Sequence, residues 1–364
     1  MKYSLVVAAL ILAGPSPARA EETVAPASSA SMTTAAYPLV MYAPEFSLMM
    51  GGGAVMVFRR AGAAAAAKPD NLTVNAMYTL KNQTVLQVLP ELYSNDEKYK
   101  FRATALYQNM PATFFGIGNS GAMSYSDITA REEKYTNRTF IFQPQLTRTV
   151  WGRLRAGLSY DVKDTRVLDV PRAGRLAGGS VQGVQGGLLS GLGGVLDYDG
   201  RDNLFYPSRG VYAQAVTRFY RKSLGSDYVY DYYSLDLRGY RRLGEGGVLA
   251  LQFSGVAAGR GVPFYDMPLY DLRGIYNTYF LNRANYYTQA EYRFPLKHRF
   301  YAVVFAGGGN SAPELRKLSL RNIQFIMGSG VRFVLDKKEK INMRFDIGAS
   351  RWGVQPYFGI TEAF

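Results

Sequence analysis

Residues 341–350, INMRFDIGAS, decide the fold class because apolar and polar side chains alternate along them without a break. The apolar set is Ile341, Met343, Phe345, Ile347 and Ala349. The polar or small set is Asn342, Arg344, Asp346, Gly348 and Ser350. Successive side chains of a β-strand point to opposite faces, so this stretch is predicted to be a strand with one apolar and one charged face.

The same period of two recurs through residues 37–364, most clearly at 151–162, 233–240 and 285–294. These runs last about ten residues, which suits a tilted membrane-spanning strand better than a soluble strand of about five or six residues. A soluble β-sandwich has the same local alternation and stays open as an alternative on that pattern alone. No run of two turns carries a helical stripe, so the sequence predicts an all-β domain.

The connections between the predicted strands favour a barrel. Lipid offers no partner to an open sheet edge, so a sheet that spans a membrane must close on itself. About sixteen strands are predicted, the first of them short, at 38–43, and an even number is usual for a single-chain barrel. The long connections, at 109–134, 163–184, 260–283 and 309–322, all follow odd-numbered strands. The sequence thus predicts a closed transmembrane antiparallel β-barrel with its long loops on the outer side.

The N-terminal segment has the pattern of a secretory signal. Lys2 is followed by a short apolar run, and Ala18-Arg19-Ala20 is a small-x-small cleavage site, so residues 1–20 are predicted to be a signal peptide. Residues 21–36 are small and polar and predict a flexible periplasmic lead, which leaves residues 37–364 for the barrel. Export together with the barrel pattern predicts the bacterial outer membrane as the location.

Composition excludes several kinds of function. The chain has no cysteine and one histidine, His298, so no catalytic, metal or cofactor site is predicted and an enzyme is not expected. The net charge of +14 comes from scattered Lys and Arg residues rather than a basic block, and nucleic acid is not expected as a partner. The aromatic fraction of 14% suits the two aromatic girdles of an outer-membrane barrel.

Residues 197–210, DYDGRDNLFYPSRG, predict a structured turn on the periplasmic side. Asp202 and Asn203 favour turn backbone, Pro207 fixes its φ, and Gly210 permits a tight exit. Asp199 and Arg201 are close enough in sequence to pair locally.

Five motifs resemble the barrel domain of the BamA/TamA superfamily, also called the bacterial surface antigen family. In chain order they are YAPE at 42–45, FFGIGN at 114–119, the 197–210 turn, LRGI at 272–275 and EYRFPL at 291–296. In that family the sixth outer loop folds into the lumen, and the resemblance implies the same for residues 260–283. We call the implied contact the sixth-loop lock, and its residues are Leu272, Arg273, Gly274, Glu291 and Asp346.

Part of this prediction follows from the alternation alone, which directs the side chains of Glu291 and Asp346 inward. An arginine buried in the interior needs a carboxylate partner such as these. Gly307 stands where the family usually has an aspartate on the thirteenth strand, so the lock is expected to be wired differently. The resemblance also implies a C-terminal assembly signal, formed by Phe358, Ile360 and Phe364 on the closing strand. Glu362 departs from that signal, because an apolar residue is usual there.

The resemblance implies a role in outer-membrane biogenesis or in translocation of protein or lipid. The implied partners are outer-membrane lipid, the barrel-assembly machinery during insertion, and a separate periplasmic docking protein, because residues 21–36 are too short for even one POTRA domain. In the family the seam between first and last strands opens, and Pro38 and Pro44 would deprive a short first strand of amide donors.

The alternative is a passive pore that favours anions. Its motivation is that the inward arginines outnumber the inward acids, the arginines being Arg153, Arg155, Arg218, Arg238, Arg293, Arg332 and Arg344 and the acids Asp161, Asp236, Glu291 and Asp346.

Overall fold

The structure, a computed structural model, describes residues 30–43, 47–61, 68–79, 83–94, 97–337 and 340–364. Within these ranges the chain forms one antiparallel sheet whose sixteen strands follow one another in chain order. The first eight are β1 (Ser31–Ala43), β2 (Ser47–Arg59), β3 (Asp70–Thr79), β4 (Thr84–Tyr93), β5 (Tyr99–Phe114), β6 (Glu133–Trp151), β7 (Leu154–Leu168) and β8 (Gly187–Asp199). The others are β9 (Gly210–Tyr220), β10 (Tyr230–Leu243), β11 (Gly247–Ala258), β12 (Ala284–Pro295), β13 (Phe300–Ala312), β14 (Gln324–Asp336), β15 (Ile341–Ser350) and β16 (Gly353–Ile360).

The sheet exposes apolar side chains on one face and buries charged side chains on the other, which is the reverse of a soluble protein. On the outer face apolar side chains are exposed, among them Leu158 (63%), Leu251 (49%) and Met327 (69%). On the inner face Glu291, Arg293, Arg332 and Asp346 are fully buried. A soluble β-sandwich buries its apolar face, so that alternative does not describe this molecule.

The sheet curves around one of its own loops. Residues of β7, β10, β14, β15 and β16 all bond to residues 260–283, which connect β11 to β12. Among the described residues each ladder joins sequential strands, and none joins β16 to β1. Closure of the barrel therefore stays a prediction.

The first strand corrects the sequence prediction. β1 begins at Ser31, so residues 31–36, assigned to the lead, and residue 37 all lie in the strand, and β1 has 13 residues rather than six. Each of these residues pairs with β2, from Ser31 opposite Arg59 to Tyr37 opposite Gly53. The prediction relied on the alternation of apolar and polar side chains, but backbone pairing does not need that alternation. Small residues can therefore extend a strand without changing the pattern that predicts it.

The longer loops follow odd-numbered strands, as the sequence predicts. They span residues 115–132, 169–186, 259–283 and 313–323, and the first contains the helix α1 (Tyr125–Thr129). Among the described residues, no helix is long and apolar enough to cross a membrane.

Candidate functional site: the interior loop

The connection between β11 and β12, residues 259–283, lies inside the curved sheet, and we call it the interior loop. Tyr270 and Phe280 are fully buried, and Leu272 is 2% exposed. Phe280 packs edge-on against Trp352, with ring centroids 4.9 Å apart. The loop is thus a packed part of the core rather than a mobile cover.

Arg273 holds the loop to the wall formed by β12–β15. Its Nη1 lies 2.7 Å from Glu291 Oε2 and 2.8 Å from Asp346 Oδ2. Its guanidinium carbon is 3.7 Å from the ring centroid of Phe305, so the cation stacks on an aromatic face. The structure therefore brings the predicted arginine together with both of the predicted carboxylates.

The residues flanking Arg273 let the loop backbone approach β15. Gly274 has a φ of +106°, its N–H donates to the Tyr357 hydroxyl at 2.8 Å, and its carbonyl accepts from Ser350 Oγ at 2.7 Å. A Cβ at Gly348 would lie 2.7 Å from Gly274 N. Gly274 and Gly348 are glycines because their backbones touch.

Gly307 lies on β13, where the family pattern suggested an aspartate. A Cβ at this position would lie 2.6 Å from Thr288 O and 2.8 Å from Gln289 Cβ, so a larger residue does not fit. Gln289 supplies the polar contact instead, since its Oε1 accepts from Arg273 Nη2 at 3.3 Å.

The arginine contact belongs to a larger buried network. Arg293 Nε donates to Glu291 Oε1 at 2.7 Å, and Arg332 pairs with Asp346 at 2.5 Å. Arg332 Nε also lies 2.7 Å from Glu362 Oε2. Glu362, which disturbs the C-terminal pattern in sequence, is thus a carboxylate of this network.

The C-terminal residues depart from the predicted assembly signal. β16 ends at Ile360, and the chain turns inward at Thr361, whose φ is +69°. Phe364 lies beyond the strand and packs in the interior with Tyr240 and Ala250. The expectation that Phe364 lies on the closing strand is therefore wrong, because the left-handed turn takes it off the sheet. Phe358 and Ile360 lie in β16, and their side chains are outside the described part of the chain.

A second anchor, on the opposite side of the interior, was not predicted. Asp266, in a single 3₁₀ turn of the interior loop, lies 2.6 Å from Lys163 Nζ on β7. Its other oxygen accepts from the Tyr230 hydroxyl at 2.6 Å. Lys163 also pairs with Asp161 at 3.0 Å. The inward period of β7 places Asp161 and Lys163 together in sequence, but no motif marks their partner in the loop.

The FFGIGN motif, residues 114–119, is hydrogen-bonded to the C-terminal end of the interior loop. Asn119 is fully buried, and its Nδ2 donates to the carbonyls of Phe115 at 3.0 Å and Tyr279 at 2.8 Å. Gly118 N donates to Leu281 O at 3.1 Å. The loop at residues 115–132 and the interior loop are therefore one packed unit. Of the YAPE motif, Pro44 and Glu45 lie outside the described residues.

The 197–210 turn is built by its own side chains. Arg201 makes two hydrogen bonds to Asp199, both 2.8 Å. Asn203 Oδ1 accepts from the backbone N–H of Phe205 at 2.9 Å, and Gly210 has a φ of +105°. The Pro207 carbonyl accepts from Arg293 at 3.3 Å, which connects this turn to the buried network.

Asp202 organises the same turn. Its carboxylate accepts from the Ser208 hydroxyl and backbone N–H and from Arg209 N. Partial burial acts to raise the pKa of Asp202, but these hydrogen bonds outweigh it and lower the pKa below its usual value. The turn is thus stabilised by an ionised carboxylate.

We expect Lys163 and Asp266 to stabilise the folded state jointly. In a double-mutant cycle, Lys163→Met and Asp266→Leu should show a coupling free energy of about 1–3 kcal/mol, because each change alone strands a buried charge. Urea unfolding in detergent micelles measures it. The same cycle on Lys134 and Glu132, an exposed pair 3.5 Å apart, is the control and should give less than about 1 kcal/mol. Equal coupling in the two cycles would contradict the anchor.

Comparison with known proteins shows the fold but no family. No family model matches the chain, and no curated protein matches its sequence. Among solved structures the chain is similar to BamA from Haemophilus ducreyi lacking POTRA domains 1–3, with a TM-score of 0.58 and 13% identity over 92% of this chain and 70% of that chain. OccK11 (OpdR) from Pseudomonas aeruginosa covers 91% of this chain and 92% of its own at 11% identity, but its TM-score of 0.33 supports no inference. The chain thus has the fold of an outer-membrane β-barrel.

Proposed function

We propose that this chain is an integral barrel of the bacterial outer membrane that acts in membrane biogenesis or in translocation of protein or lipid. The observation that carries the proposal is the interior loop, which is packed inside the sheet and anchored on two walls by Arg273 and Asp266. A loop held in this way fills the route that a wide passive pore needs. We therefore place the proposed activity at the wall of the barrel rather than in its lumen.

The edges β1 and β16 are the proposed working part of that wall. β16 is the shortest of the described strands, with 8 residues, and each edge strand contains a proline that lacks an amide donor, Pro38 and Pro356. β1 is not short, so the seam argument rests on these prolines and on β16 instead. The proposed partners are outer-membrane lipid, the assembly machinery that inserts the barrel, and a separate periplasmic docking protein.

Cysteine crosslinking tests the seam, since the chain has no cysteine of its own. One cysteine replaces Ala36 on β1, and its partner replaces Val354, Pro356 or Phe358 on β16. We expect the oxidised pair to block insertion of a urea-denatured reporter barrel into vesicles, and reduction to restore it. The control pair replaces Leu237 and Phe253, which face each other across the β10–β11 ladder. Full activity of a locked seam would count against the proposal.

The passive pore remains the second candidate, because buried arginines line the interior at Arg155, Arg218, Arg238, Arg293 and Arg332. Arg153 does not belong to this set, since it lies in the β6–β7 turn and donates to Gly200 O at 3.1 Å. Bilayer conductance separates the two candidates. Large, steady, anion-selective currents from the unmodified chain would favour the pore over the proposed function.

A further inference from the structure

The loop between β13 and β14, residues 313–323, folds onto the outer flank of the sheet, and we call it the rim loop. The Ser319 carbonyl accepts from the hydroxyl of Tyr286, a residue on the outer face of β12, at 2.9 Å. The Arg321 carbonyl accepts from Asn310 Nδ2 at 3.1 Å. A Cβ at Gly308, also on the outer face, would lie 2.8 Å from Ile323 Cγ2. Unlike the interior loop, the rim loop thus lies on the side that lipid contacts in the proposed barrel.

The rim loop exposes large apolar side chains. Leu315 is 65% exposed and Leu320 is 80% exposed. They continue the apolar outer face of β14, where Phe325 and Met327 are each 69% exposed. Exposed leucines that adjoin a lipid-facing strand are placed to enter the acyl region of a bilayer.

Cations surround these leucines. Glu314 gathers three arginines, with Arg316 at 2.7 Å, Arg260 at 3.1 Å and Arg283 at 3.5 Å. Lys317 and Arg321 are exposed, and in the described part of the chain no carboxylate lies within 4 Å of either. Three arginines therefore share the Glu314 carboxylate at this edge of the sheet, and Lys317 and Arg321 add two cations that it does not pair with.

Leucines beside a group of cations match the two layers of a membrane surface. Apolar side chains insert into the acyl boundary, while Lys and Arg reach the phosphates above it. A soluble anion would use the cations but would leave the leucines in water. The combination therefore selects a lipid headgroup over a free anion.

We propose that the rim loop binds phosphate-bearing lipid headgroups, with Arg316, Lys317 and Arg321 contacting the phosphate and Leu315 and Leu320 inserted beside it. This inference rests on the proposed function, because it needs the barrel to be embedded in a membrane. It names a lipid class for the surface of the barrel, which the interior loop does not determine.

Native mass spectrometry of the full-length barrel, released from micelles containing equal amounts of phosphatidic acid and phosphatidylcholine, tests the inference. The unmodified chain should retain phosphatidic acid preferentially. The variant Arg316→Gln/Lys317→Gln/Arg321→Gln should lose that preference by about tenfold or more, since three surface cations are removed. The charge-retaining variant Arg316→Lys/Arg321→Lys should keep it within about twofold, because Lys and Arg near an anionic lipid surface contribute similarly.

A matched variant separates this site from a general charge effect. Arg148→Gln/Arg241→Gln/Lys297→Gln removes three exposed cations from the opposite end of the strands. It should keep the preference within about twofold. Equal loss in both triple variants, or displacement of the lipid by millimolar inorganic phosphate, would overturn the inference.

Folding is followed in parallel by heat-dependent migration on gels. A chain that needs detergent and folds, yet shows no preference for phosphatidic acid, overturns this inference alone. A chain that is soluble without detergent overturns the proposed function itself.

Discussion

Glu291→Gln is expected to lower the free energy of unfolding by about 3–5 kcal/mol, because the change leaves buried cations without their shared carboxylate. Glu291 lies 2.7 Å from Arg273, 2.7 Å from Arg293 and 3.5 Å from Arg332, and its side chain is fully buried. Glutamine keeps the shape but not the charge. The cost is therefore electrostatic rather than a matter of packing.

Equilibrium unfolding in urea, in micelles or thin vesicles, measures this cost. Glu132→Gln is the control, since that carboxylate pairs with Lys134 at 3.5 Å and its side chain is 40% exposed. It should change stability by less than about 1 kcal/mol. If Glu291→Gln lowered the free energy of unfolding no more than the control does, Arg273 and its neighbours would have to be solvated. The sixth-loop lock would then not stabilise the fold.

Gly348→Val is expected to move the interior loop off β15 without changing any charge. A side chain at 348 would lie 2.7 Å from Gly274 N and 2.8 Å from Arg273 C, and backbone cannot yield as a flexible side chain can. The displaced loop should open the interior. We expect single-channel conductance to rise about tenfold or more, as an occluded lumen becomes a water-filled one.

Gly239→Val controls for the effect of a β-branched residue on a strand. Gly239 lies on β10, and a Cβ there meets no heavy atom within 4 Å. Its conductance should match that of the unmodified chain. A Gly348→Val barrel that stays electrically silent, while limited proteolysis finds the interior loop still protected, would show that the loop does not depend on this close approach.

The sequence was informative wherever a pattern repeats along a strand. The alternation at 341–350 predicts the inward direction of Asp346, and the same period predicts that of Glu291, and both are buried in the structure. The motif around Arg273 added the loop that reaches them. These predictions succeed because side-chain direction in a strand is fixed by position alone.

Other features escaped because their signals are not local. The Asp266–Lys163 pair joins residues 103 positions apart, and a single aspartate in a loop has no period to reveal it. The start of β1 escaped because its pairing with β2 is made by backbone atoms. The inward turn at Thr361 escaped because one left-handed residue reverses the direction that alternation assigns to Glu362 and Phe364.

The two anchors of the interior loop lie on β7 and β15, which are eight strands apart in a sheet of sixteen. Because the interior loop contacts both strands, it fixes the distance between β7 and β15. The cross-section is then set by the length of the segment from Asp266 to Arg273 as well as by the number of strands. In the proposed barrel, a wall braced in this way would resist flattening under lateral pressure from the bilayer, and deformation would concentrate at the two terminal strands.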